Sequence, residues 1–211
     1  MSVKLIWATP NAEQLISDMA RVSNPANQGM PPCKLLAYLV RNKHWSPFEM
    51  VSACFEIETT RDIARQILRH RSFSFQEFSQ RYAAVDALPP APLRELRLQD
   101  TQNRQNSIPA DDAALSIWWE NAQRDVLDEA QRNYQRALDR GIAKEQARAL
   151  LPEGLTSSRM YMSGTVRSWM HFCNVRTEAG TQKEHRRIAE QIGAQMAELF
   201  PLSWTEFTKE K

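Results

Sequence analysis

Between Val51 and Tyr82 the hydrophobic period of the chain changes twice, and no other feature constrains the fold as tightly. From Val51 to Glu58 apolar and polar residues alternate. Val51, Ala53, Phe55 and Ile57 face one way and Ser52, Cys54, Glu56 and Glu58 the other, which is the pattern of a half-buried strand. Thr59 and Asp62 then stand at the spacing of a capping box. Ile63, Ile67 and Leu68 supply the apolar face of a helix, and Arg61, Arg65 and Arg69 follow one another at i, i+4 and i+8 as a basic stripe. The helix is expected to end in Arg69-His70-Arg71. Beyond it Ser72-Phe73-Ser74-Phe75-Gln76 returns to a period of two, an extended segment or a loop with alternate side chains buried.

The remaining segments are consistent with the same mixture. Residues 3–8 read as a strand, and Asn11 as the cap of a helix to about residue 22 with Leu15, Ile16, Met19 and Ala20 on one face. A loop over 24–32 precedes a helix that buries Leu35, Leu36, Leu39 and Val40. Ser46-Pro47-Phe48-Glu49 has the form of a second capping box with proline at the first helical position. Residues 86–110, with Pro89, Pro90, Pro92 and Pro109, read as a variable surface excursion or flap. A helix is expected over 111–139, with Leu115, Trp118, Trp119, Ala122, Val126 and Leu127 near helical spacing and Gly141 ending it. Ala143–Leu151 forms a short helix, 163–175 a helix entered through Gly164, and Thr181–Leu199 a last one. The expectation is a helix-rich α+β fold in one domain spanning 1–211.

Residues 65–82 gather Arg65, Arg69, His70, Arg71 and Arg81 around a single acid, Glu77, with Phe73, Phe75, Phe78 and Tyr82 between them. Fixed positive charge beside aromatic surface suits a planar ligand that carries phosphate. A plainer use is as cations at a helix C-terminus, and a rival one is single-stranded nucleic-acid binding. The net charge of +2 weighs against the rival. Cys33, Cys54 and Cys173 lie far apart, with no metal-ligand spacing, and an odd count without a signal peptide fits a reducing cytoplasm. No apolar run is long enough to span a bilayer.

The string Arg69-His70-Arg71 followed by Ser79-Gln80-Arg81-Tyr82 resembles the signature of the flavin-dependent thymidylate synthases. Three further blocks resemble that family in order and spacing: His44-Trp45-Ser46-Pro47-Phe48-Glu49; Ala147-Arg148-Ala149-Leu150-Leu151-Pro152; and Gly164 to Arg176 with Thr181-Gln182 and Glu184-His185 after it. The likeness covers roughly residues 15–205 apart from 83–140. It implies synthesis of dTMP from dUMP, with methylenetetrahydrofolate as carbon donor, FAD as redox carrier and NADPH as reductant. It also implies a largely antiparallel sheet and a homotetramer with shared active sites.

By the same likeness Ser46, Arg69, His70, Arg71, Glu77, Thr165, Val166, Arg167 and His171 fall at flavin-contacting positions, with His44 and Glu49 close by. Ser46 and Glu49 also suit a helix cap. His171, where some relatives carry Asn, either meets the flavin or satisfies a buried polar site. Gln66, Ile67, Leu68, Arg69, Glu77, Phe78, Ser79, Gln80, Arg81, Arg148 and Arg176 fall at dUMP-contacting positions. Gln76 departs from the family, which often has Asn there. Ser79 suits a phosphate ligand better than a nucleophile, because no base adjoins it in sequence. Arg176 is the catalytic candidate: its charge would stabilise an electron-rich uracil ring as C5 attacks. The plainer reading of Arg176 is a helix C-terminal cation.

Overall fold

The computed structural model describes residues 1–209. In chain order it contains β1 (Ser2–Ala8), α1 (Ala12–Ala20), α2 (Cys33–Arg41), β2 (Ser52–Thr60), α3 (Arg61–Ile67), β3 (Ser74–Glu77), β4 (Arg97–Gln99) and β5 (Ser107–Pro109). There follow α4 (Ala113–Asp139), α5 (Lys144–Ala147), β6 (Ser157–Thr165), α6 (Val166–Arg176), α7 (Lys183–Leu199) and α8 (Pro201–Lys209). The expected α+β fold and antiparallel sheet are observed. Four strands pair antiparallel in the order β1-β2-β6-β3, and β4 and β5 form a separate hairpin.

Register explains the core. Leu5, Phe55, Met162 and Phe75 form one row across all four strands, beside a row of Ile57 and Met160. Phe55, Ile57, Met160 and Met162 are fully buried, and α6 and α7 bring Trp169, Phe172, Ile188 and Ile192 into the same core. Each such side chain contributes roughly 1.5–3 kcal/mol on leaving water. The adjacent row of Lys4, Glu56, Tyr161 and Gln76 faces away. Gln76 is thus an exposed strand residue opposite Tyr161, and its extra methylene meets no tight turn.

Several local expectations are corrected. The most informative is β6, a central strand that the hydrophobic pattern concealed behind its serines and Gly164. Gly164 lies within that strand, and Thr165 opens α6, its Oγ1 accepting from the Ser168 amide at 3.2 Å. A Cβ on Gly164 would stand 2.4 Å from Phe73 Cδ1, so the ring can cross the strand only there. α3 ends at Ile67, and Arg69-His70-Arg71 lies in the turn beyond it. Arg61 is buried, which breaks the exposed basic stripe. Thr59 remains strand, paired with Ser158, so Thr60 is the residue before the helix, and Asp62 turns to Arg94 at 2.8 Å instead of capping.

Ser46–Glu49 is a single 3-10 turn without a side-chain cap, because Glu49 pairs with Arg167 of α6. Asn11 precedes α1 in the left-handed region and makes no side-chain cap, and Met19 is exposed. α4 buries Gln123, Ala130, Tyr134 and Ala137, whereas Trp118 and Val126 face outward. Gly141, at φ 78°, ends it as expected, with Ile142 N–H donating to the Ala137 carbonyl. The 86–110 segment is tied down by the β4–β5 hairpin and by Arg94 and Arg97. α7 is followed by α8, which the expected last helix omitted.

Candidate active site

The turn after α3 carries its functional groups to the C-terminal end of α6. Arg176, the last residue of α6, donates Nε–H to His70 Nε2 at 2.8 Å. That contact requires an imidazole lone pair. Burial, then the charges of Arg176 and His171, push the His70 pKa down to about 4, so the ring is neutral at pH 7. His185 of α7 stands 6.2 Å away between ring centroids. Burial and the charges of Arg176 and His70 push it down to about 3. Phe172 packs edge-on against His70 at 4.9 Å and fixes the ring plane. Gln66 of α3 joins this group, with Oε1 at 3.4 Å from His185 Nδ1 and Nε2 donating to Gln182 Oε1 at 2.6 Å.

A cleft of about 600 Å³ opens on the other side of α6. Arg167, His171 and Asn174 line it at i, i+4 and i+7, with Trp45, Ser72 and Phe207 opposite or beside them. His171 is exposed there, which removes the buried-polar-site alternative. Thr165 is occupied as the helix cap. Val166 is fully buried, as is Ile67, so neither side chain can reach a ligand. Any contact they make is through the backbone.

Glu77 sits at the sheet edge, accepting from Ser158 Oγ at 2.8 Å and lying 3.5 Å from Arg65. Arg61 feels Arg65, Glu77 and Arg148 nearby, and its pKa is lowered first by burial. Past β3, Ser79 and Arg81 are exposed on a turn and Phe78 is half-buried. Gln80 turns inward, and its Nε2 meets no acceptor among the described residues. Arg81 pairs with Glu145 at 3.2 Å, and Arg148 Nε donates to the Glu145 carbonyl at 3.2 Å, so these two arginines share one anchor. Arg69, Arg71 and Ser46 lie on the connecting turns, Arg69 and Arg71 exposed and Leu68 half-buried.

The aromatic residues of the 65–82 stretch divide. Phe73 is buried against Trp169 at 4.5 Å and Phe75 joins the sheet, so they pack instead of offering stacking platforms. Tyr82 alone of the four is fully open, at 87% exposure. Gln182, Glu184, His185 and Asn174 had no assigned role from sequence. Asn174 was legible as the next turn of the Arg167–His171 face; the other three depend on α7 meeting α3.

Together these features define an α+β protein in which guanidinium groups from α6 and the turn after α3 stand beside two neutral imidazoles and an open cleft. A family described as thymidylate synthase complementing protein matches residues 4–202. A probable flavin-dependent thymidylate synthase of Paramecium bursaria Chlorella virus 1 is 46% identical across 95% of this chain and 96% of its own length. The flavin-dependent thymidylate synthase of a Synechocystis species is 50% identical across 84% of this chain and 80% of its own. Among solved structures, a UMP/dUMP methylase from Streptomyces cacaoi bound with 5-Br dUMP superimposes with a TM-score of 0.82 at 33% identity, covering 99% of this chain and 94% of that one. The chain belongs to the flavin-dependent thymidylate synthase family.

Proposed function

We infer that this protein makes dTMP from dUMP by reductive methylation, with methylenetetrahydrofolate as the carbon donor, FAD as the redox cofactor and NADPH as the reductant. The observation that carries this reading is the meeting of Arg176, neutral His70 and Gln66 at the junction of α3 and α6, in a chain of this family. Arg176 gives up only Nε–H to His70, which leaves the terminal guanidinium nitrogens for the uracil carbonyl and N3 region. Its fixed charge stabilises the ring as C5 attacks the methylene carbon. No enzyme nucleophile is needed.

The donor set of the cleft fits a flavin. Arg167, His171, Asn174 and Ser72 offer cationic and hydroxyl or amide groups to a pyrophosphate, and Trp45 and Phe207 offer apolar surface to the ring system. Ser46, Arg69, His70, Arg71, Glu77, Thr165 and the Val166 backbone complete the proposed cofactor site. Bound flavin would supply the redox chemistry, passing reducing equivalents from NADPH to the transferred carbon. For dUMP, Ser79 and Arg81 hold phosphate, Gln66 meets the pyrimidine edge, and Arg69, Arg148 and Glu77 surround the sugar phosphate, with the Ile67 backbone, Leu68, Phe78 and Gln80 lining the seat.

We further propose a homotetramer with shared sites. Ile117 and Trp118 on α4 are 63% and 61% exposed, and a second copy would cover them. The three cysteines are thiols, which suits the cytoplasm, and no described helix is long and apolar enough to cross a membrane. The deciding experiment is rescue of a thymidine-requiring bacterium, read beside dTMP formation by the purified protein. A colourless preparation that takes up no added FAD and gives no rescue contradicts the reading.

A further inference from the structure

A hydrogen-bond chain that starts on a buried carboxylate runs to the Gln66 amide. Glu184 at the start of α7 is buried, accepts from Arg97 and lies 3.4 Å from Arg94. Burial opposes its ionisation, but the Arg97 hydrogen bond and the Arg94 charge outweigh burial and hold the carboxyl below its ordinary range. An ionised carboxylate only accepts hydrogen bonds. Gln182 must therefore present its NH2 to Glu184, and Nε2 does so at 3.0 Å. This commits Gln182 Oε1 to the other side, where it accepts from Gln66 Nε2 at 2.6 Å. Gln66 Oε1 is left facing His185 Nδ1 at 3.4 Å, so the neutral His185 ring carries its proton on Nδ1.

Each link leaves the next only one orientation. Turning the Gln66 amide over would set oxygen against oxygen at Gln182. The fixed amide keeps one N–H and one carbonyl lone pair beyond those already used. Uracil offers a carbonyl acceptor beside the N3–H donor. Cytosine offers the reverse, an N3 acceptor beside an amino donor. A flipped amide would suit cytosine as well as the fixed one suits uracil.

We propose that Gln182, oriented by Glu184 with Arg94 and Arg97, is a positioning residue that sets the direction of the Gln66 amide and so makes the site select uracil over cytosine nucleotides. The inference rests on the reading above that Gln66 meets the pyrimidine edge. It also gives the 86–110 segment a role, since Arg94 and Arg97 hold the carboxylate from which the orientation propagates.

The test is calorimetric titration of dUMP and dCMP into the flavin-loaded protein and its variants. Gln182→Leu should weaken dUMP binding about tenfold and leave dCMP binding equal or tighter, so that the dUMP/dCMP affinity ratio falls at least tenfold. In turnover its KM for dUMP should rise while kcat changes less than about threefold. Gln182→Met serves where the leucine variant does not fold. A folded Gln182 variant with the parental affinity ratio overturns the proposal. Gln66→Leu separates the two levels of inference. If it binds dUMP as the parent does, the placement of Gln66 is wrong; if it loses discrimination while Gln182→Leu keeps it, only the orienting chain is wrong.

Discussion

Arg176 donates Nε–H to His70 Nε2 at 2.8 Å, across 106 positions of sequence. The bond joins the end of α6 to the turn after α3 and engages Nε–H of the guanidinium. It holds only while His70 is neutral, and the arginine charge itself disfavours protonation of the ring.

Removing that guanidinium should stop the chemistry without emptying the cofactor site. Arg176→Ala is expected to lower dTMP formation by roughly 100-fold or more and to keep its visible flavin absorbance. Normal turnover in this variant would refute the electrostatic role.

Ser79 provides a contrasting case. It is exposed, at the head of the turn that carries Arg81. Ser79→Ala should weaken dUMP binding about three- to tenfold, the range of one lost hydrogen bond, with a smaller change in kcat. Complete loss of turnover with intact dUMP affinity would instead mark Ser79 as a nucleophile.

Acid should destabilise the fold through the two histidines. Their pKa values are pushed from 6.5 to about 4 in His70 and about 3 in His185. Below pH 6.5 the unfolded chain binds protons that the folded chain refuses. The stability they contribute is therefore complete above about pH 6.5 and is lost as pH falls toward the folded values. Between pH 7 and 5, above the carboxylate range, Tm should fall, and His185→Phe should flatten that slope. An unchanged slope would show that His185 is not a buried neutral group.

Gly164 should tolerate no side chain while Phe73 is present. A Cβ would lie 2.4 Å from the ring, which is itself wedged against Trp169. Gly164→Ala is expected to cost roughly 1–3 kcal/mol, as overpacking does, seen as a lower Tm. Adding Phe73→Leu should recover part of that loss, and a strictly additive pair would argue against the contact.

The spatial grouping of several candidate residues was legible in the chain. The Arg69-His70-Arg71 and Ser79-Gln80-Arg81 segments do flank one short strand, and Arg167 and His171 do share a cleft. Polar side chains were assigned less well. Glu49 and Asp62 have the spacing of caps, yet both bond to arginines from distant segments, Arg167 and Arg94. β6 was missed because its serines and glycine look like a loop until β2 and β3 are placed on either side.

The sequence by itself determined the elements whose signal is periodic and local: β2, α2, the core of α3 and the end of α4 at Gly141. Backbone hydrogen bonding and alternate burial act between near neighbours, so their pattern survives in one dimension. Only the tertiary structure decided which carboxylate meets which arginine, that His70 is neutral beside Arg176, and that Gln66 is held by Gln182 across 116 positions. A polar side chain bonds to whatever donor or acceptor the packing brings within about 3 Å, and that depends on how α3, α6 and α7 converge.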